Sequence, residues 1–148
     1  NDVLTQAEAN GELKEALLDW KDPRNAFNNT SGGSKYYRGR PPSNGFGETL
    51  EGVFDSRGIA YNIDLHYSRP NTTETSTGEQ KYLENGDPTD NAVVASETVV
   101  LRDQDKIKSG ETLNQSDTYP INGYSNSSDE YRPSYYNVVE VRLVVWRI

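Results

Sequence analysis

His66 is the only histidine in the chain. Imidazole chemistry, as general base or as metal ligand, would therefore rest on one ring, with no Ser/His/Asp order or paired histidines around it. It falls on the polar side of an alternating stretch, beside Tyr67, and reads as a surface residue. There are no cysteines, which removes thiolate nucleophiles, thiolate metal sites and disulfides. Two pairs of acids, Asp87 and Asp90 in "NGDPTDN" and Asp103 and Asp105 in "RDQDK", offer oxygen ligands to a hard cation. Neither has calcium-loop spacing, and both fit ordinary turn and strand-end chemistry. Glycoside hydrolysis by paired carboxylates gains no support, because spacing along a chain cannot set two acids across a sugar. The expectation is a protein that is not an enzyme, with no catalytic residue, no metal site and no cofactor.

What the chain has in excess is tyrosine, ten residues in 148. Tyr36 and Tyr37 adjoin Arg38, while Tyr124, Tyr131 and Tyr135 lie in or beside a second loop rich in Ser and Asn. Tyrosine offers a stiff, amphipathic contact surface, and Ser, Gly and Asn add adaptable hydrogen bonds, as in binding loops. These six residues form the candidate partner-binding set, with a protein or glycan surface as the partner. The competing reading is that the rings cover a small core or stack on nearby prolines.

Asn-X-Ser/Thr, the acceptor pattern for N-glycosylation, occurs at Asn28, Asn29, Asn71, Asn114 and Asn126. Each lies in a polar, turn-rich stretch, and the pattern presumes an extracytoplasmic loop. The expected location is therefore extracellular, at the cell surface. A net charge of −8, from 23 acids against 15 bases, argues against a nucleic-acid partner. It suits a high-salt environment, where hydrated carboxylates help keep a surface soluble. No run approaches the roughly 20 apolar residues that span a bilayer.

These candidates need a scaffold, and 148 residues suit one domain over 1–148. Leu4 and Ala7, then Leu13, Ala16, Leu17 and Trp20, recur at helical spacing on either side of Asn10-Gly11. That predicts two helical pieces over residues 1–20. Residues 21–45 read as loop. Phe46, Leu50, Val53 and Phe54 predict a further helix, ended by Gly58. "IAYNIDLHY" alternates strictly, "KYLEN" and "AVVASETVVLRD" read as strands, and "YYNVVEVRLVVWRI" closes the chain. The closing strand turns apolar on both faces, as expected of a central strand covered by other elements. The fold class is α+β: N-terminal amphipathic helices packed on an antiparallel sheet with long polar loops, the C-terminal strand central. The chain opens abruptly on a helix, without an initiator methionine, and this opening reads as the tail of a longer helix.

Four stretches, "AEANGELKEALLDW", "FGETLEGVFDSRGIAYNIDLHY", "GDPTDNAVVASETVVLRDQDKI" and "YNVVEVRLVVWRI", together resemble an uncharacterised haloarchaeal family of pilin-like surface proteins. The resemblance runs through most of the chain and is weakest in the polar loops. It implies a relative of type IV pilins: a hydrophobic N-terminal helix as anchor, then a soluble α+β head. It implies that the helix precedes Asn1, that any membrane contact is made through it, and that the partners are other pilin-like subunits or cell-surface proteins and glycans. The family supplies no catalytic residues to carry over. The leading expectation is the extracellular head of a pilin-like or minor-pilin subunit, and the alternative is an adhesin-like binding module.

Overall fold

The computed structural model describes residues 2–68, 77–123 and 135–148, the side chains of Asp2 and Tyr135 excepted. It is a mixed α+β structure. Helix α1 spans Asp2–Ala9 and α2 spans Glu12–Leu17. Gly11 separates them with φ 77°, the left-handed conformation that glycine adopts without a Cβ penalty. Leu4, Ala7, Leu13, Ala16 and Leu17 are all buried, as the periodicity predicts.

Trp20 departs from that pattern. The helix stops at Leu17, and Trp20 begins the two-residue strand β1 (Trp20–Lys21), antiparallel to β2 (Ala26–Phe27) with Trp20 opposite Phe27. Proline disfavours helix in the residue before it, and Pro23 sits just beyond, inside a 3₁₀ turn at Asp22–Arg24. The indole is still fully buried, edge-on to Phe27 at 4.9 Å and to Tyr119 at 6.0 Å. Its N–H donates to the Thr118 hydroxyl at 2.9 Å. Residues 21–45 are therefore mostly loop, yet they deliver three short strands and buried aromatics to the core.

The third of these, β3 (Tyr37–Arg38), joins the edge of the main sheet. Helix α3 (Gly45–Phe54) follows, with the Asn44 side chain as its N-terminal cap, accepting from the Gly47 amide at 3.0 Å. The Asn44 amide in turn donates to Asp19 Oδ2 at 3.1 Å and to the Tyr82 hydroxyl at 2.9 Å. Gly47 is required here, since a Cβ would stand 1.8 Å from the Pro42 carbonyl oxygen. Gly58, at φ 65°, then turns the chain into β4.

Strands β4 (Ile59–Ser68), β5 (Thr77–Glu84), β6 (Val93–Arg102) and β7 (Tyr135–Arg147) complete a five-stranded sheet in the order β3-β5-β4-β7-β6. The closing strand β7 is internal, antiparallel to both β4 and β6. The sheet is mixed, because β3 pairs with β5 in parallel, Tyr37 opposite Leu83. Tyr37, stacked on Phe27 at 6.4 Å and edge-on to Tyr82 at 5.4 Å, anchors β3 to the core.

One sheet face presents Ile63, Leu65, Val99, Leu101, Val139, Val141 and Leu143, which share one hydrophobic cluster with the buried helix residues. The opposite face corrects an expectation in part. It carries Asp64, His66, Glu140 and Arg142 at its centre, none of them buried, and Val138 remains 41% exposed. The closing strand thus has neighbours on both edges; the centre of its outer face is open to solvent, while Trp146 near its end is buried on that face. Among the described residues no helix is long and apolar enough to cross a membrane.

Candidate functional site

Alternation along a strand sends neighbouring side chains to opposite sides, and it divides the first tyrosine pair. Tyr36 is half-buried at the sheet edge and Arg38 is exposed. The Arg38 guanidinium lies 4.7 Å over the Tyr36 ring and also donates to its hydroxyl, while Lys81 Nζ stands 6.0 Å from the ring centroid. Ser34 fixes the turn before Tyr36 by donating to the Tyr36 carbonyl at 2.7 Å. Gly32 and Gly33, at φ 58° and 78°, shape the rim of a groove of about 510 Å³ whose lining includes Lys35, Tyr36, Arg38 and Gln80. A ring face backed by guanidinium and ammonium donors can stack on a sugar and bind hydroxyl or carboxylate groups.

Tyr37 belongs to the core. It is fully buried, its hydroxyl donates to the Asn28 carbonyl at 2.5 Å, and burial pushes its phenol pKa up. It is therefore withdrawn from the partner-binding set. Tyr119 and Tyr136, also in tyrosine-rich stretches, behave alike: their hydroxyls donate to the Leu17 and Ile121 carbonyls at 2.5 and 2.7 Å. Burial raises the Tyr136 phenol to about 12. Tyr124 and Tyr131, and the side chain of Tyr135, lie outside the described residues, as do Asn71 and Asn126. Of the remaining glycosylation candidates, Asn29 and Asn114 are exposed and Asn28 is buried.

The open sheet face carries a lattice of charge. Across the strands, Glu79, His66, Glu140 and Thr98 stand in one row, and Lys81, Asp64, Arg142 and Ser96 in the next. One ligand atom each from Asp64, His66 and Glu79 lies within 4.8 Å of the others. Burial raises the Asp64 carboxyl pKa, and the nearby Glu79 and Glu84 charges add to the rise. This trio is the donor set among the described residues that could hold a metal ion. The acid pairs weighed in the sequence do not form such a group: Asp105 pairs with Lys14 at 3.0 Å, and Asp87 and Asp90 are exposed.

At the other side of the sheet, β6 is an edge strand. Val93 and Val94 are 61% and 60% exposed there, beside a groove of about 490 Å³ lined by Ile59, Val145 and Trp146 among others. The alternating pattern makes β6 legible as a strand, but nothing in it signals that this strand lies at an edge of the sheet.

Comparison with known proteins gives one match. A family model described as "Family of unknown function (DUF7288)" covers residues 1–145. No curated protein and no solved structure matches the chain.

Proposed function

The chain belongs to the DUF7288 family of unknown function, and we propose that it is an extracellular assembly subunit, the head of a pilin-like or minor-pilin protein. In this reading the N-terminal helices pack on the sheet and continue a hydrophobic anchor helix, and the head meets its neighbours through the β6 edge. The observation that carries it is the edge position of β6, unpaired among the described residues, where Val93 and Val94 are exposed on the two faces of the strand and Val93 lines the Trp146 groove. An uncovered apolar edge is a template for pairing with another chain, and natural proteins commonly blunt such edges with charge or proline. The acidic surface and the exposed Asn29 and Asn114 acceptors fit a cell-surface setting rich in salt. The role requires no catalytic residue and no cofactor.

The test is Val94→Lys in the native gene product. A charge on the edge is expected to deplete the protein from surface assemblies while the melting temperature of the head stays unchanged. Undiminished incorporation of the variant would exclude the β6 edge as the assembly surface.

A second reading, an adhesin-like module, is favoured by the Tyr36–Arg38 platform and its groove. It predicts that Tyr36→Ala abolishes retention on glycan or protein surfaces and leaves assembly intact.

A further inference from the structure

We propose that Asp64, His66 and Glu79 form a binding site for a divalent first-row metal ion, with zinc as its best-matched occupant, on the open face of the sheet. The proposal stands apart from the assembly role, since its residues lie on β4 and β5, away from the β6 edge.

The geometry comes from the sheet itself. Asp64 and His66 are two residues apart on β4, so their side chains leave the same face. Glu79 is the direct cross-strand partner of His66 on β5. The chain is offset between Ile63 and Asp64, and beyond that offset Lys81 faces Asp64 and Glu79 faces His66. Three potential ligand atoms thereby converge within 4.8 Å of one another. Around a tetrahedral zinc with ordinary bond lengths such donors stand about 3.4 Å apart. Rotation of the exposed Glu79 side chain can close that difference, because the backbone positions are already set.

The charges around the trio supply a second, separate observation. Two cationic side chains face Asp64 in the register, Lys81 on β5 and Arg142 on β7. Each is engaged elsewhere: Lys81 pairs with Glu84 at 3.4 Å, and Arg142 pairs with Glu140. Among the described residues, the side chains of Asp64, His66 and Glu79 make no hydrogen bond or ion pair. Two carboxylates and an imidazole thus converge without a hydrogen bond or ion pair among the described residues, while Lys81, paired with Glu84, still acts on the Asp64 charge. A bound cation would further relieve the repulsion between Asp64 and Glu79, which Lys81 and His66 offset only in part. The donor set of two carboxylate oxygens and one imidazole nitrogen, without thiolate, suits zinc and its first-row neighbours. Three protein ligands leave a coordination position for water or for a donor from another molecule. An open groove of about 270 Å³, lined by His66, Thr98, Glu140 and Arg142 among others, adjoins the imidazole.

The single histidine makes the test unusually clean, since one imidazole spin system reports the site. Zinc chloride is titrated into the folded protein by calorimetry, and the imidazole resonances are followed in parallel. The expected result is one ion per chain, with His66 resonances shifting in step with occupancy. His66→Ala and Glu79→Gln should each weaken zinc binding tenfold or more, with unchanged metal-free melting temperatures. Copper(II) loaded in place of zinc should show coupling to one nitrogen in its electron paramagnetic resonance spectrum. The proposal is overturned if millimolar zinc leaves the His66 resonances in place. It is equally overturned if either variant loses less than tenfold in affinity, which would mark diffuse binding to an acidic surface.

Discussion

The Thr118 hydroxyl donates to Asp22 Oδ1 at 2.7 Å across 96 residues of sequence. The same carboxylate accepts from the Ser116 hydroxyl and from the Asp117 amide, the latter at 3.1 Å. Thr118 also receives the indole N–H of Trp20, so this one contact ties the end of the helical segment to the loop before Tyr119.

Asp22 should therefore give the fold a measurable acid dependence. Burial alone would raise its carboxyl, but the hydrogen bonds from Ser116, Thr118 and the Asp117 amide outweigh burial and hold the pKa below the usual 3.8. A depressed folded-state pKa contributes stability above the unfolded value, and that contribution disappears as pH falls through the folded one. Asp22→Ala should lower stability at pH 7 by about 1.5–3 kcal/mol, the scale of hydrogen bonds to a charged group. Urea denaturation of both proteins should show this difference shrinking as the pH is taken below 3.8. A gap that stays constant down to strong acid would contradict the assignment.

Two glycines of α3 should respond with opposite signs. A Cβ at Gly47 would meet the Pro42 carbonyl oxygen at 1.8 Å, whereas one at Gly52 meets nothing within 4 Å. Gly47→Ala should cost about 2 kcal/mol or more through forced displacement. Gly52→Ala, in an exposed helix interior, should gain about 0.5–1 kcal/mol. Thermal melts of the pair decide it.

The adjacent tyrosines should separate stability from recognition. Tyr37→Ala empties a fully buried site and should cost about 3–5 kcal/mol, as for other large aromatic truncations. Tyr36→Ala should stay within about 1 kcal/mol. Chemical denaturation measures both, and a stability loss at Tyr36 as large as at Tyr37 would rule out the exposed platform.

The division between Tyr36 and Tyr37 also marks where sequence reading stops. Strict alternation over "IAYNIDLHY" makes β4 legible and places Asp64 and His66 on the polar face. The spacing of Phe46, Leu50 and Phe54 makes α3 legible in the same way. A two-residue strand such as β3 has no period to detect, so its parallel pairing with β5 and the burial of Tyr37 could not be foreseen. Trp20 keeps the helical spacing of Leu13 and Leu17, but an Asp-Pro turn and an aromatic cluster override it. Glu79 joins Asp64 and His66 only through the cross-strand register and its offset at Ile63/Asp64, a tertiary property with no local signature. The edge position of β6 likewise depends on which strands find each other.

The assembly role is tested most directly on the native, full-length gene product. Its N-terminal peptide is read by mass spectrometry, and its partition between sheared surface filaments, membrane and medium is measured. The account predicts an apolar helix of roughly 20 residues preceding Asn1, with a processed end, and recovery in the filament or membrane fraction. Recovery as a freely soluble secreted protein whose mature terminus is Asn1 would contradict it.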